Sequence, residues 1–560
     1  MKKITSLFIV LFGVSVSLPI LLPLLQDGFF TIHDNTQVER VFEMKNALSD
    51  GSFPVRWVEN LGYGYGYPIF NFYAPFPYYV GGFINLILQN SLLATKIMFG
   101  IGIVGSFFSM YLLARRFTNS LGGIVAGVLY LYFPYHAINI YVRGAVGEYF
   151  AYIFTPLIFL GIYVLYEKIQ KTKKIPVLQS VLFSIPIALV IISHNLTTYM
   201  VGLFLIPYGA YFFIRSNNKK YFLASILSAL VLSFFLAAFY LLPAVLESRY
   251  TDVASQIGGG ADYPDHFVCF SQFWSSDWGF GGSIPGCVDG LSFGLGKFNI
   301  LLVFLAFIFF CVRFIRKRKI TTEIIFWLLL PFSLFLMTSY SQFIWDTLPY
   351  MEYLQYPWRF LNFTALFIAA LLAFFVKNFK SRILRIIISL FIVSGVVYLN
   401  YQHFNPVDIV SNSNSFYENE EHIRFDTSKI SDEYMPKGFN KPEEIENVPE
   451  KLMQADSEDI SLLLINKKTG YIEFSKDGDQ GRIYINQAYF PSWSAYVDNQ
   501  KVGFARTNNG MSIVLSEGIR NVVFRFEMTP IQATGNALSI IGVIVVFVVI
   551  IVKRKDLYER

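Results

Sequence analysis

The sequence is poor in charged residues and in cysteine. Only 15% of its 560 residues are Asp, Glu, Lys or Arg, whereas soluble domains carry roughly 25%, so the composition excludes an ordinary soluble protein. Three cysteines are too few for a disulfide scaffold. Cys269 and Cys287 fall in one polar loop and can pair if that loop faces an oxidising compartment.

Several motifs of soluble enzymes are also missing. The chain has no GxxxxGK[ST] phosphate loop, no GxGxxG turn after a strand, and no His/Cys cluster with zinc spacing. These absences weigh against nucleotide-dependent and zinc-dependent chemistry.

Hydrophobic residues make up 54% of the chain, and many of them lie in long apolar runs. A run of about 18 residues or more can cross the hydrocarbon core of a bilayer. We therefore predict an α-helical polytopic membrane protein with about 12 transmembrane helices and a small extracytoplasmic β-sandwich before the last helix. The predicted spans are 4–25, 94–114, 120–140, 149–166, 176–193, 198–214, 221–246, 297–314, 322–341, 358–376, 383–400 and 533–552.

Seven short basic clusters alternate with these runs, and they account for the net charge of +6 without any nucleic-acid partner. The positive-inside rule places all seven clusters in the cytoplasm. Both termini of this plasma-membrane protein are then cytoplasmic, and the N-terminal run is an uncleaved first span. Counting the apolar segment 76–88 as a further span would invert every later cluster, so we predict a re-entrant or interfacial helix there.

The chain divides into a transmembrane domain (residues 1–400, with a first outer loop at 26–93), an extracytoplasmic β-rich domain (401–531), and a final helix with a cytoplasmic tail (532–560). Five segments between residues 471 and 526 alternate as strands do, and Asp498-Asn499 marks a hairpin turn. The segment 411–460 is rich in Ser, Asn, Glu and Pro, which predicts a loosely ordered entry to the β-rich domain.

The predicted spans carry almost no charge in their middles, which weighs against an ion-coupled transporter. The charged and titratable residues lie instead at outer span ends or in the loops beside them. This pattern predicts a site at the membrane surface, open to lipid head groups. The residues concerned are Asp34, Arg40, Arg143, Glu148, His194, Glu247, Arg249 and Arg359.

Each candidate residue has a structural alternative. Asp34 can cap the following helix, with Gln37 completing a capping box. Arg143 and Glu148 can form a local salt bridge, or they can bind a phosphate and a metal or substrate. Arg359 can extend to the head-group region as a span-end arginine, or it can bind a lipid phosphate there.

The aromatic part of the first loop also has two interpretations. Arg56 and Trp57 can anchor the loop at the head groups or contact the substrate. Tyr65 and Tyr67 lie in a Gly/Tyr run, which is typical of an interfacial aromatic belt and can equally supply flat faces for a sugar ring. His194, at an outer turn, is a further candidate for substrate contact.

Three groups of motifs resemble a known family. They are the first loop (Asp34, Gly51-Ser-Phe-Pro-Val-Arg-Trp and Gly64-Tyr-Gly-Tyr-Pro), the segment Arg143 to Glu148, and Leu354-Gln-Tyr-Pro-Trp-Arg. Together they resemble the bacterial and archaeal membrane proteins called 6-pyruvoyl-tetrahydropterin synthase-related. The tail Tyr489-Phe-Pro-Ser-Trp-Ser resembles the C-terminal domain of YfhO-type membrane proteins. Both groups resemble the GT-C glycosyltransferase superfamily.

This resemblance implies transfer of a sugar from a polyprenyl-phosphate-linked donor on the extracytoplasmic face. Asp34 matches the essential acid of the first outer loop, and Arg359 matches a Pro-Trp-Arg element. Glu148 matches the second acidic position, which implies that Asp34 and Glu148 could hold a divalent cation such as Mg²⁺ or Mn²⁺. The resemblance names no glycan, lipid or protein acceptor. A flippase for lipid-linked sugars and a scaffold for envelope assembly remain alternatives.

Overall fold

The computed structural model describes residues 2–253, 261–317 and 321–558. Within these ranges, nine helices are long and apolar enough to cross a membrane, or up to eleven if each of two bent helix pairs is one span. The long helices are Lys2–Leu21, Ser91–Phe117, Val146–Thr172, Asn195–Arg215, Lys219–Leu246, Lys297–Lys317, Leu361–Lys377, Arg382–Asn400 and Pro530–Tyr558.

The other predicted spans are helical but interrupted or short. Ser120–Leu131 and Pro134–Val142 meet at 49°, where Pro134 lacks the N–H that would continue the first helix. Ile324–Leu336 and Ser339–Thr347 meet at 95°. Val177–Ile191 has only 15 residues, fewer than the roughly 20 that a perpendicular span needs. All twelve predicted segments are therefore helical, and the polytopic helical fold is confirmed.

The basic clusters and the outer charged residues occupy opposite ends of these helices. At the basic end, Arg116 pairs with Glu167, and the Lys377 ammonium donates to the Phe117 carbonyl at 2.6 Å. At the other end lies the first loop. This separation matches the pattern from which the orientation was predicted, although the orientation itself remains a prediction.

The first loop contains the helices Gln37–Ser49, Ile69–Phe72 and Phe76–Leu88. Phe76–Leu88, with 13 residues, lies against Gln37–Ser49, and Gly81 and Gly82 face Val41 and Met44 across this contact. A side chain at either glycine would separate the two helices. How this short apolar helix meets the bilayer remains a prediction.

The described residues contain eleven strands, which form three antiparallel sheets. They are β1 (Phe29–Phe30), β2 (Ile409–Val410), β3 (Met453–Ala455), β4 (Ile460–Lys468), β5 (Tyr471–Gly478), β6 (Gly481–Ile485), β7 (Trp493–Val497), β8 (Gln500–Val502), β9 (Ala505–Thr507), β10 (Gly510–Leu515) and β11 (Arg520–Phe526). Strand β1 pairs with β2, and the others form sheets of order β3-β6-β10-β9 and β4-β5-β11-β7-β8.

The β-rich domain is confirmed, and its strands alternate as the sequence predicts. Ile472 and Phe474 on β5 and Ile483 and Ile485 on β6 are buried in the shared core, while their neighbours along each strand are more exposed. The turn at residues 498–499, with φ of +48° and +67°, joins β7 to β8 as a hairpin. Strands β3, β4, β8 and β9 were not among the predicted segments.

The segment between β2 and β3 differs from the prediction of a loosely ordered entry. It forms the short helices Asn414–Tyr417, Glu420–His422 and Ser428–Ile430 with a π-helical turn between the last two. Its polar side chains are engaged by buried groups of the first loop, as when Ser431 accepts from Arg40 at 2.7 Å. Composition alone underestimated its order because these partners lie nearly 400 residues away in the sequence.

Candidate functional site

The centre of the site is the carboxylate of Glu148, in the first turn of Val146–Thr172. One oxygen accepts hydrogen bonds from the Tyr135 hydroxyl at 2.7 Å and the Asn139 amide at 3.2 Å. The other accepts from Arg143 Nη1 at 2.9 Å and lies 3.9 Å from Arg359 Nη1. The Glu148 side chain is 0% exposed, so this one buried carboxylate is shared by two arginines.

A tight turn positions Arg143. The π-helical turn Ile138–Val142 ends on a bond from the Arg143 N–H to the Ile138 carbonyl, at 2.8 Å. Gly144 follows with φ +64°, a conformation that costs little only for glycine. Burial alone would lower the pKa of Arg143, but Glu148, Tyr135 and Asp34 together outweigh it and raise that pKa above its ordinary value.

Arg359 lies on the turn Pro357–Phe360, just before the helix Leu361–Lys377. Its guanidinium is over the ring of Tyr356, 5.4 Å from the centroid, and its side chain is 8% exposed. Its Nε has no hydrogen-bond partner among the described residues. Because a buried donor without a partner is costly, Arg359 is suited to receive an anionic ligand.

Asp34 lies beside this cluster. Its backbone N–H donates to the Arg143 carbonyl at 3.0 Å, and its carboxylate contributes to the electrostatic environment of Arg143 and Tyr73. The side chain is half-buried. In the described part of the chain, its carboxylate forms neither a hydrogen bond nor an ion pair.

The capping explanation for Asp34 is wrong. The helix begins at Gln37 with Thr36 as its N-cap, and no side chain forms a cap bond there. Gln37 instead donates to the Gly144 carbonyl at 3.0 Å and accepts from the Tyr78 hydroxyl at 2.6 Å. The Asp34 carboxylate therefore has no capping role, and it interacts electrostatically with Arg143.

His194 is next to the cluster but has a structural task. It is the N-cap of Asn195–Arg215, and its Nδ1 accepts from the Thr197 N–H at 3.2 Å. Burial lowers the pKa of His194 to about 3, although the Glu148 carboxylate opposes that shift. His194 is therefore neutral at physiological pH and adds no positive charge for a phosphate.

The structure does not bring Arg56 to this cluster. Its guanidinium donates to the Asn71 side chain at 3.0 Å, to the Phe239 carbonyl at 2.8 Å and to the Asn536 side chain at 3.0 Å. These bonds join the first loop to two membrane helices. Burial lowers the pKa of Arg56 to about 10, which leaves the side chain charged in this role.

The candidate aromatic residues of the first loop also contact other parts of the chain. They are Trp57, Tyr65 and Tyr67. The Trp57 ring meets Trp493 of β7 at 5.5 Å in an edge-on arrangement. The Tyr65 carbonyl accepts from the backbone of the β-rich domain at 2.6 Å, and the Tyr67 hydroxyl bonds Glu433 at 3.4 Å. All three are at most 4% exposed, so their faces are not open to a sugar ring.

Cys269 and Cys287 form a disulfide with their Cα atoms 5.6 Å apart. The loop that this bond closes reaches the site, because the Phe280 carbonyl accepts from the His33 ring at 2.9 Å. The disulfide thus restrains a loop that contacts the residue next to Asp34.

A metal ion shared by Asp34 and Glu148 does not fit this arrangement. Both Glu148 oxygens are already engaged, by Tyr135 and Asn139 on one side and Arg143 on the other. Within the described residues, no group of three or more His, Cys, Asp or Glu side chains is arranged to hold a metal ion. The requirement for Mg²⁺ or Mn²⁺ remains an untested prediction.

Several polar residues of the site were missed at the sequence level. Tyr135 and Asn139 precede Arg143 at intervals of four residues, the spacing of one helical face, and this signal was available. Tyr73 and Glu433 form a second polar group near Asp34 with Arg40, described below, and of these three only Arg40 was among the predicted outer charged residues. Glu433 is distant in sequence and no local pattern points to it.

Known proteins match part of the chain in sequence. Residues 70–257, about a third of it, match the 6-pyruvoyl-tetrahydropterin synthase related domain, described as a membrane protein. This match confirms the family resemblance over those residues. An uncharacterized protein of Lactococcus lactis subsp. cremoris (strain MG1363) is 27% identical over 186 residues, which cover 32% of this chain and 29% of that protein. The chain thus spans less than a third of this curated relative.

Two solved structures show a weak overall likeness. One is the arabinofuranosyltransferase AftD from Mycobacteria, with a TM-score of 0.41, 10% identity, and coverage of 72% of this chain and 28% of that one. The other is the oligosaccharyltransferase of Archaeoglobus fulgidus, with a TM-score of 0.41, 14% identity, and coverage of 72% and 55%.

Proposed function

We propose that this membrane protein is a glycosyltransferase that moves a sugar from a polyprenyl-phosphate or polyprenyl-pyrophosphate donor to an acceptor hydroxyl on the extracytoplasmic face. The observation that carries the proposal is the unpaired, half-buried carboxylate of Asp34 next to Arg143, which shares the buried Glu148 carboxylate with Arg359. The sequence resemblance to GT-C enzymes supports the same assignment of Asp34.

The two arginines are suited to the leaving phosphate. Arg143 and Arg359 together exceed the charge of Glu148 by one positive unit, and Arg359 Nε has no partner among the described residues. Negative charge grows on the phosphate oxygen as the glycosidic bond breaks, and fixed positive groups stabilise that charge most effectively in a water-poor site. Glu148 holds both guanidinium groups in place without cancelling them.

Asp34 is suited to the acceptor. A carboxylate without a partner can accept the proton of an acceptor hydroxyl as that oxygen attacks the anomeric carbon. The new bond joins the acceptor oxygen to the sugar carbon, and the bond from that carbon to the phosphate oxygen breaks. The proton passes to Asp34 and then to water, and polyprenyl phosphate, or pyrophosphate from a pyrophosphate donor, leaves with the bonding electron pair.

The proposal includes an orientation. The site end of the helix bundle, the disulfide-closed loop and the β-rich domain face the extracytoplasmic side, and both termini are cytoplasmic. The basic clusters at the opposite helix ends support this assignment. A disulfide between Cys269 and Cys287 is also expected on an oxidising side of the membrane.

The test is release of free polyprenyl phosphate by the purified protein from a panel of polyprenyl-phosphate sugars, with and without Mg²⁺ or Mn²⁺. Wild type should release it, and Asp34→Asn should lose at least about 100-fold in rate, the usual contribution of a general base. Asp27→Asn, in the same loop, is the matched control. Equal release by Asp34→Asn and wild type would refute the assigned role of Asp34. Silence of both folded proteins would favour the flippase or scaffold function.

A further inference from the structure

A second polar cluster near Asp34 has no place in the donor chemistry. Arg40, on the helix Gln37–Ser49, is only 4% exposed. Its guanidinium donates to the Ser431 hydroxyl at 2.7 Å and to the Tyr78 hydroxyl at 3.3 Å, and it lies over the ring of Tyr73 at 4.5 Å. Its Nε has no hydrogen-bond partner in the described ranges.

The counter-charge of Arg40 is supplied indirectly. Ser431 bridges the guanidinium to one oxygen of Glu433 at 3.0 Å, and Tyr67 bonds the same oxygen at 3.4 Å. The other Glu433 oxygen forms no bond to a described residue, and the side chain is half-buried. The cluster therefore offers an unused acceptor at Glu433 and an unused donor at Arg40, with almost no net charge.

Hydrogen bonds connect this cluster to Asp34 and Arg143. The Asp34 N–H donates to the Arg143 carbonyl at 3.0 Å, and Gln37 donates to the next carbonyl, that of Gly144, at 3.0 Å. Gln37 also accepts from the Tyr78 hydroxyl at 2.6 Å, and that hydroxyl accepts from Arg40 at 3.3 Å. A general base must contact the attacking hydroxyl. If the arginine pair receives the donor phosphate, the cluster around Tyr73 is a second polar group near Asp34, among the described residues, that can hold the molecule carrying this hydroxyl.

We propose that Arg40, Tyr73 and Glu433 form the acceptor subsite and bind a hydroxyl-rich sugar ring. The geometry on which this rests is their junction next to Asp34, with Tyr73 from the first loop and Glu433 from the segment that precedes the β-rich domain. Paired donors and acceptors without net charge suit neutral hydroxyl groups, whereas a phosphate would require excess positive charge. The acceptor is thus a glycan end, and the segment 423–435 helps to select it. This inference rests on the proposed function.

The test separates sugar binding from donor binding. The full-length protein in lipid nanodiscs is offered a panel of free neutral monosaccharides and disaccharides, with binding followed by saturation-transfer NMR. Binding of polyprenyl phosphate is measured in parallel. Wild type should bind at least one sugar of the panel. Glu433→Gln and Tyr73→Phe should each weaken sugar binding at least tenfold and leave polyprenyl-phosphate binding within twofold of wild type.

Arg359→Gln should show the reverse pattern, with phosphate binding weakened and sugar binding kept. Glu517→Gln, an exposed change in the β-rich domain, is the control and should change neither. Two results would overturn the acceptor subsite and leave the proposed donor intact. In one, Glu433→Gln binds sugar as wild type does. In the other, wild type binds polyprenyl phosphate but none of the sugars. If wild type does not bind polyprenyl phosphate, the result counts against the proposed donor. A variant that merely unfolds loses both signals, and Tyr73→Phe removes only one oxygen.

Discussion

The two halves of the first outer loop use polar and aromatic residues in opposite ways. In the acidic half, residues 26–49, Asp34 keeps a carboxylate without any partner in the described chain. In the aromatic half, residues 51–67, Arg56 and Tyr63 are bonded to other segments, and Trp57 is buried against β7. The more distinctive sequence thus belongs to the structural half. Function is indicated by the polar group that the fold leaves unused.

This difference has an energetic basis. A fully satisfied polar contact helps to stabilise the fold, and its removal is costly. A carboxylate without a partner contributes little to stability, so its position beside charged groups calls for another explanation. Replacing residues of the two halves should therefore separate stability from turnover.

The largest effect on stability is expected from Glu148→Gln. Glu148 binds Arg143, and the Arg143 carbonyl accepts from the Asp34 N–H in the acidic half. The change removes the carboxylate that the buried Arg143 and Arg359 share, and breaking a buried ion pair in this way costs about 3–5 kcal/mol. Denaturant unfolding of the detergent-solubilised protein measures this cost. The control is Glu167→Gln at the basic end, where the partner Arg116 is 43% exposed and the expected cost is below about 1 kcal/mol. Equal losses of unfolding free energy in Glu148→Gln and Glu167→Gln would contradict a stabilising role of the buried Glu148 ion pairs.

Trp57→Ala should have the next largest effect, and it tests the structural role of the aromatic half. Trp57 contacts Trp493 and Phe526 of the β-rich domain, and removal of a buried Trp side chain costs about 3 kcal/mol or more. We expect faster proteolysis at the boundaries of that domain. Trp274→Ala is the control because its side chain is 47% exposed. Unchanged proteolysis would show that this contact does not hold the β-rich domain.

A pH dependence should follow from Glu43 in the acidic half. Burial raises its pKa to about 7, against the opposing bonds from Asn60. The folded protein thus holds this proton more tightly than the unfolded chain does. The stabilisation is complete below about pH 4.5 and is lost as pH rises to about 7. At about 1.4 kcal/mol per pKa unit, the loss is at most about 3 kcal/mol.

Melting temperatures of wild type and Glu43→Gln across this interval measure the effect. Wild type should lose stability relative to the variant as pH rises from 4.5 to 7, because glutamine does not titrate. Glu421→Gln, on an exposed position, should follow wild type. Parallel curves for wild type and Glu43→Gln would show that Glu43 does not cause the dependence.

The sequence predicted features that depend on local patterns. The twelve helical segments follow from apolar runs, and β5 and β6 follow from alternation within a few residues. The turn at Asp498-Asn499 follows from residues that tolerate positive φ. Features that depend on distant partners were not predictable in this way. The segment 411–460 looked loosely ordered because its partners in the first loop are far away in the sequence.

The site shows the same limit. Arg143 and Glu148 are near neighbours, so their salt bridge was one of two explanations weighed, and the structure contains it. For Trp57, Tyr65 and Tyr67 the sequence indicated either contacts with head groups or a surface for the substrate. Their packing inside the chain was not predicted, because it depends on where the β-rich domain lies. Asp34 could not be separated from a helix cap until the helix start at Gln37 was known.

The smallest expected change compares one residue from each half. Tyr63 donates to Asp432 at 2.7 Å, and Tyr63→Phe leaves that carboxylate without this bond at a cost of about 1–2 kcal/mol. Asp34→Asn should cost almost nothing, since its carboxylate has no partner among the described residues. Turnover should show the opposite order, with Tyr63→Phe close to wild type and Asp34→Asn nearly inactive.

The same two variants, measured for unfolding free energy and for release of polyprenyl phosphate, thus form a crossed experiment. An Asp34→Asn variant that is both unstable and inactive would mean that the carboxylate has a structural partner, and the loss of turnover would then say nothing about catalysis. A stable Tyr63→Phe variant with low turnover would place the aromatic half within the reaction. Only the crossed result, in which each variant loses a different property, supports the division of the loop into a catalytic and a structural half.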